Sequence, residues 1–322
     1  MDATRFDRTG GPDVLRMEQV AAPDPGPGEV VVEVAAAGVN FIDTYHRSGL
    51  YPVDLPSGIG LEGAGTVIAM GDGVETRQVG DRVAWADAMG SYASHVAIRA
   101  ERTVPVPNAV PLETAAAIML QGMTAHYLTQ STTSLGEDDT VLVYAAAGGV
   151  GRILVQLAKR RGARVLACTS TEAKAEEVRA LGADEIVFYR DVDVPAAVRE
   201  MTDGQGVDVV YDSVGADTFQ WSLDSLRPRG LLVMYGNASG PVPPFDLGLL
   251  ARKGSLYITR PTLFSYTATT DELTWRATAL FDLLATGHLQ LKVHGTYALS
   301  DAARAHEDLE SGTTAGKLVL RP

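Results

Sequence analysis

The residues whose types and spacing point most directly to chemistry lie in 141–170, VLVYAAAGGVGRILVQLAKRRGARVLACTS. Small residues stand at Ala146, Gly148 and Gly151. In a dinucleotide turn the first permits the tight bend, the second lets the backbone approach a pyrophosphate, and the third lets the next helix lie close to its strand. The N–H groups that open such a helix lack partners within it and carry partial positive charge, which suits an anion. Ala146 departs from the glycine of the full pattern, so the flanking elements have to support the reading. They do: 141–144 is a short apolar β-run, and Ile153, Leu154, Leu157 and Ala158 recur at helical spacing until Gly162. A second apolar run, 164–167, completes a strand, turn, helix, strand unit.

The residues just past that second run bear on which dinucleotide would bind. Units that take NAD place an Asp or Glu roughly 20 residues past the glycine turn, where it accepts from the ribose hydroxyls. Here that position reads CTST, 168–171, with no carboxylate. Hydroxyls of Thr169 and Ser170 can donate to a 2′-phosphate, and Lys174, one helical turn on, adds positive charge. NADPH is therefore expected over NADH. Glu172 would repel such a phosphate and is expected to point to solvent.

Around this unit, 121–255 alternates strand and helix. Helices are expected over 172–181, 194–201 and 218–226, and strands over 185–189, 207–211 and 231–235. Repeated βα units of this length imply a parallel, doubly wound sheet with ligands at the carboxyl ends of its strands. Residues 1–120 instead carry short β-rich runs, 14–20, 30–36, 65–70 and 82–86, broken by Pro and Gly clusters such as AAPDPGPGEV. This section reads as all-β until the helical spacing of PLETAAAIMLQGMTAHYLTQ begins at Pro111. Beyond 255 the texture is mixed, ending in a helix at 301–310 and a β-run at 316–320, a tail expected to rejoin the first domain.

Composition narrows the classes. With 322 residues the chain can build two cores, and a net charge of −13 repels phosphate backbones and anionic lipid. Nucleic-acid and membrane-surface partners are not expected, and no stretch is long and apolar enough to span a bilayer. A cytoplasmic protein is expected. The single cysteine, Cys168, is expected to pack as a small apolar residue.

Five motifs in order, GVNFIDTYHRSGLY at 38–51, AAAGGVG at 145–151, YDSVG at 211–215, MYGNASGPV at 234–242 and KGSLYITRP at 253–261, resemble the NADPH-dependent quinone oxidoreductases. These are the ζ-crystallin-like, zinc-free branch of the medium-chain dehydrogenase/reductase superfamily. The resemblance implies an α/β fold in which a Rossmann doubly wound parallel sheet is inserted in a GroES-like, mainly β catalytic domain. It assigns 1–120 to the first part of the catalytic domain, 121–255 to the NADPH-binding domain and 256–322 to the return, with a cleft between domains and usually a homodimer. In zinc-dependent relatives a Cys stands at the position of Asn40 and a His before the Glu equivalent to Glu62; here that residue is Leu61, and no metal is expected.

Without a metal, a carbonyl acceptor must be polarised by fixed hydrogen-bond donors while hydride leaves the nicotinamide. The resemblance implies Asn40, Tyr45, Tyr51 and Thr124 for that task, the first two and Thr124 also facing the cofactor. His126 is expected to be packed rather than to act as an acid. For the cofactor it implies Ala147, Gly148, Gly149 and Val150 at the pyrophosphate, Tyr189 beside Thr169, Ser170 and Lys174 at the ribose phosphate, and Ser213, Val214, Gly236, Asn237, Thr259 and Arg260 at further strand ends. Lys317 lies near a position where some relatives turn an Arg toward the cofactor. A quinone is the expected acceptor; reduction of α,β-unsaturated carbonyls or enoyl thioesters, and an NADPH-binding protein without turnover, remain as alternatives.

Overall fold

The computed structural model describes all residues, Met1–Pro322. They divide into two compact units, Met1–Met123 with Tyr266–Pro322, and Thr124–Ser265.

The second unit is built on six strands, every neighbouring pair parallel, in the order Glu185–Phe188, Arg164–Thr169, Thr140–Val143, Val207–Asp212, Leu226–Met234 and Tyr257–Thr259. Numbered along the chain this is the doubly wound 3-2-1-4-5-6 order, with its switch point between Thr140–Val143 and Val207–Asp212. One rung runs across five strands: Leu166, Leu142, Val210, Leu232 and Ile258 are register partners in turn. The first four belong to one buried apolar cluster, and Ile258 packs against it. A fully buried Leu or Val contributes about 1.5–3 kcal/mol relative to exposure, which is why these strands read as continuous apolar runs. The unit extends past the texture change near 255 because Tyr257–Thr259 still pairs with Leu226–Met234. Leu226–Met234 also starts earlier than 231, through Pro228, Arg229 and Gly230, where Arg229 takes a φ of 62°.

In the first unit a seven-stranded sheet is organised on the long strand Glu29–Val39. That strand pairs antiparallel with Glu62–Met70, with His95–Arg99 along its first half and with Lys317–Arg321 at its end. The tail thus returns to the first section of the chain. A smaller sheet joins Arg16–Gln19, Asp2–Phe6 and Ser57–Gly58.

Two helices of eight residues or more interrupt stretches not read as helical. Phe41–Ser48 lies inside the section read as all-β, and Thr270–Ala285 inside the mixed texture beyond 255. Both carry a start signal: the Asp43 carboxylate accepts from the Asn40 N–H at 2.8 Å, and Thr269 with Glu272 forms a capping box.

Candidate functional site

In the second unit, parallel pairing brings the ends of all six strands to one edge of the sheet. Along that edge stand Tyr189 and Arg190, then Thr169, Ser170 and Lys174, then the turn 145–150, then Ser213 and Val214, Gly236 and Asn237, and last Thr259 and Arg260. Every cofactor residue expected from this unit's sequence, apart from Thr124 on the helix Leu112–Tyr127, falls there.

The turn explains its own composition. Ala145 has a φ of 48°, Gly148 donates its N–H to Ala145 O at 2.8 Å, and the helix Gly149–Arg160 begins at once. A Cβ on Gly151 would stand 2.3 Å from Ala145 O and 2.7 Å from Ala146 Cα, so only glycine lets this helix start so close to the strand. Gly148, Gly149 and Val150 remain partly accessible, as a pyrophosphate cradle requires, whereas Ala147 is buried.

Around the expected ribose phosphate, Ser170, Lys174 and Tyr189 are half-buried. Thr169 is only 3% exposed, and its hydroxyl is buried without a partner. Arg190 joins this group although no local pattern in the sequence marks it. Its charge, after burial itself, holds the Lys174 ammonium below its usual range, and its guanidinium lies 5.8 Å from the Tyr189 ring centre. The pairing of Thr169 with Phe188 places the residues after these two strands side by side, which is why the Arg190 charge acts on Lys174. Glu172 is exposed and held by Arg179.

The loops after the next two strands are tied together by Asp212. This buried carboxylate accepts from the N–H groups of Val214 and Gly215 at 2.7 and 3.2 Å, and from the hydroxyls of Thr218 and Ser222 at 2.7 and 2.6 Å. Burial nevertheless pushes its pKa up. Ala238 and Ser239 donate to Ser213 O and Val214 O, so Ser213, Val214, Gly236 and Asn237 share one rigid double loop. Cys168 is fully buried, and burial raises its thiol pKa far above the reactive range. His126 is buried, as expected for a packed residue.

In the first unit, Asn40 ends the strand Glu29–Val39 and precedes the helix Phe41–Ser48. Tyr45 and Tyr51 meet edge to face with ring centres 5.2 Å apart, and Tyr51 N–H donates to Tyr45 O at 3.0 Å. Asn40 differs from the free donor that the sequence leads one to expect. Its Nδ2 donates to Glu62 Oε2 at 2.7 Å and to Gly38 O at 3.3 Å, while its Oδ1 accepts from Lys317 Nζ at 2.7 Å. Both amide hydrogens are thereby engaged. Lys317 also donates to Glu62 Oε2 at 2.5 Å, and Glu62 Oε1 accepts from the Leu120 N–H at 2.7 Å. Lys317 and Glu62 are both fully buried; burial lowers the ammonium pKa and the Glu62 charge opposes that shift. Lys317 is thus committed to Glu62 and Asn40 rather than turned toward a cofactor.

A second buried chain of bonds starts one residue further. Asp43 Oδ2, which accepts from the Asn40 N–H, also accepts from the Tyr92 hydroxyl at 2.8 Å. Tyr92 Oη meets His306 Nε2 at 3.2 Å, and His306 Nδ1 meets Arg47 Nη1 at 3.1 Å. Arginine can only donate, so Nδ1 accepts, Nε2 carries the hydrogen, and Tyr92 gives its own to Asp43. Arg47 closes the chain with a bidentate pair to Glu310 at 2.7 and 3.1 Å. Burial pushes the Asp43 carboxyl up to about 7 against the opposing bonds from Tyr92 and Asn40. Burial and the Arg47 charge push His306 down to about 3. Because both donors point at Asp43 Oδ2, the proton belongs on Oδ1, which is buried without a partner.

Residues 26–108 match the family described as alcohol dehydrogenase GroES-like domain, and 149–277 match the one described as zinc-binding dehydrogenase. A quinone oxidoreductase of Pseudomonas aeruginosa is 47% identical over 320 residues, covering 99% of this chain and 98% of its own. A 2-haloacrylate reductase of a Burkholderia species is 43% identical over 326 residues, covering 98% of this chain and 97% of its own. The crystal structure of Escherichia coli quinone oxidoreductase complexed with NADPH superimposes with a TM-score of 0.98 at 45% identity, over 100% of both chains. A doubly wound sheet carrying the glycine turn, set between segments of a GroES-like domain and matched end to end at such identity, makes the chain a member of the quinone oxidoreductase family of the medium-chain dehydrogenase/reductase superfamily.

Proposed function

We propose that the protein is a cytoplasmic NADPH:quinone oxidoreductase that works without a metal. The observation that carries this reading is the sheet edge where Ser170, Lys174, Tyr189 and Arg190 gather with no acidic residue at the position that binds ribose hydroxyls. Two cations and two hydroxyls suit a phosphate dianion through charge-assisted bonds. The turn 145–150 suits the pyrophosphate, and the residues of the double loop, with Thr259 and Arg260, extend the same edge toward the nicotinamide end. Bound NADPH supplies a hydride. The chain's own part is to orient it and to present donors to the oxygen on which charge grows. Tyr45 and Tyr51 are the residues proposed for that, with Thr124. Asn40 acts through position, fixing the start of the helix that carries Tyr45.

Metal-free action is supported by the Lys317 ammonium, which occupies the one carboxylate, Glu62, that zinc-dependent relatives keep beside their ligands. Activity is expected to survive a strong chelator; stoichiometric zinc lost together with activity would overturn it. The cofactor reading is tested by kcat/KM for NADPH and NADH in wild type and Lys174→Ala. Charge-assisted bonds contribute about 1.5–3 kcal/mol each, so the variant should lose roughly tenfold to a hundredfold in NADPH selectivity. Equal use of both cofactors by the wild type ends it.

A second acceptor class is favoured by the likeness to 2-haloacrylate reductase: an activated carbon–carbon double bond conjugated to a carboxylate. Rates against a quinone panel and a haloacrylate and enal panel separate the two. A homodimer is supported by the open edge strand Tyr257–Thr259, where Tyr257 is 62% exposed, and by Leu247 at 72%. Tyr257→Lys should shift the species seen by analytical ultracentrifugation toward monomer.

A further inference from the structure

Of the carboxylates on the helix Glu172–Ala180, Glu177 is the one placed to disturb Lys174. The two are three residues apart and share a helix face, whereas Glu176 lies off it. Glu177 acts on Lys174 electrostatically in the structure, raising the ammonium's hold on its proton while Arg190 lowers it. A phosphate dianion arriving at Lys174 would therefore meet a like charge on the next turn. That charge has a counterion from another element. Arg152, in the helix of the glycine turn, donates from Nη1 to Glu177 Oε2 at 2.6 Å. The Arg152 side chain is 9% exposed and that of Glu177 32%, so this pair is shielded far better than the exposed Glu172–Arg179 pair on the same helix. Arg152 Nε is buried without a partner, so the burial of this guanidinium carries a desolvation cost against which the Nη1 bond to Glu177 stands.

We propose that Arg152 is a specificity-determining residue: it neutralises the Glu177 carboxylate from the side of the glycine-turn helix, so that Glu177 does not cancel Lys174 against a phosphate monoester on the adenosine ribose. The role rests on the NADPH reading of the same sheet edge. It divides the recognition between two helices: Lys174 attracts the phosphate, and Arg152 silences the acid that would reject it. The same geometry gives Arg152 no direct part in binding NADH, which lacks that phosphate.

Dissociation constants for NADPH and NADH, with inhibition constants for adenosine 2′,5′-bisphosphate and AMP, are to be measured in wild type, Arg152→Leu, Glu177→Gln and the double variant. Arg152→Leu should weaken NADPH and the bisphosphate about five- to tenfold, the size of a partly buried ion-pair effect, and leave NADH and AMP within about twofold. Glu177→Gln should bind NADPH as well as or better than wild type, and adding it to Arg152→Leu should restore the loss. Equal weakening of both cofactors in Arg152→Leu would make Arg152 a structural residue. A double variant as weak as Arg152→Leu, or a Glu177→Gln that loses NADPH, overturns the proposal, and the latter holds even if Arg152→Leu does not fold. A wild type that ignores the 2′-phosphate defeats the NADPH reading itself, whereas a selective wild type with an unaffected Arg152→Leu defeats only this one.

Discussion

The Asn40 amide is held from three sides, by Lys317, Glu62 and Gly38 O, at a position 2% exposed. Replacing it does more than remove a polar group near an acceptor. Asn40→Ala should lower turnover and also destabilise the fold by about 1–3 kcal/mol, because Lys317 and Glu62 each lose a bond in a place water does not reach. Tyr45→Phe keeps the ring against Tyr51 and removes only a hydroxyl. It should lower the unfolding midpoint less than Asn40→Ala does and cost about 2.7–4 kcal/mol of transition-state stabilisation where the hydroxyl faces the developing charge. Stopped-flow turnover beside a denaturant titration reads both; a Tyr45→Phe enzyme with wild-type turnover removes that hydroxyl from the chemistry. Single residues are legible in the sequence where a local pattern constrains them. Gly148, Gly151, Ser170 and Lys174 follow from the spacing of one βαβ unit. Lys317 cannot be paired with Asn40 in that way, since 277 residues separate them. Nor can Arg190 be joined to Lys174 without the register of two strands.

The strand–turn–helix of 140–160 shows how little freedom the binding edge has. Gly151→Ala places a methyl against Ala145 O and Ala146 Cα, both backbone, so the helix must move away from the strand. Overpacking of this kind costs about 1–3 kcal/mol, and the displaced helix N-terminus no longer presents its N–H groups to a pyrophosphate. Weaker binding of NADPH and NADH alike is expected by fluorescence titration, which distinguishes this change from Lys174→Ala. The parallel strands announce themselves as apolar runs because both faces are covered. Phe41–Ser48 does not: it is only eight residues long, and of its buried residues Asp43 and Arg47 are held by hydrogen bonds, whereas Tyr45 and His46 lie ring to ring against Tyr51, so no long apolar stripe marks it. Thr270–Ala285 is readable from Thr269 and Glu272, a threonine and a glutamate at capping-box spacing ahead of Leu273, Ala277 and Leu280.

Asp43 and His306 give the folded molecule an unusual response to acid. Asp43, raised to about 7 from 3.8, contributes stability that is complete below 3.8 and lost as pH rises to about 7. His306, lowered to about 3 from 6.5, contributes stability that is complete above 6.5 and lost as pH falls to about 3. Between 3.8 and 6.5 the folded pair holds its proton on Asp43 and the unfolded pair holds one on His306, so the two slopes cancel. Asp43→Asn should therefore make stability rise with pH across that window, by up to about 1.4 kcal/mol per unit, and His306→Gln should make it fall by as much. Urea midpoints at several pH values check the signs; parallel profiles in both variants and wild type would show that the two groups do not titrate this way.

The strand Lys317–Arg321 also constrains the order in which the chain can fold as it is made. It lies between Glu29–Val39 and Val293–Ala298, so the sheet begun by the first forty residues stays open on one side until nearly three hundred more have been added. The parallel sheet, drawn from the continuous segment Thr124–Ser265, has no such dependence on later sequence. On the ribosome the nucleotide unit is thus expected to reach protease resistance first, while the strand that waits for it, with Asn40 at its end and Glu62 on its neighbour, stays exposed to quality control until Lys317 arrives.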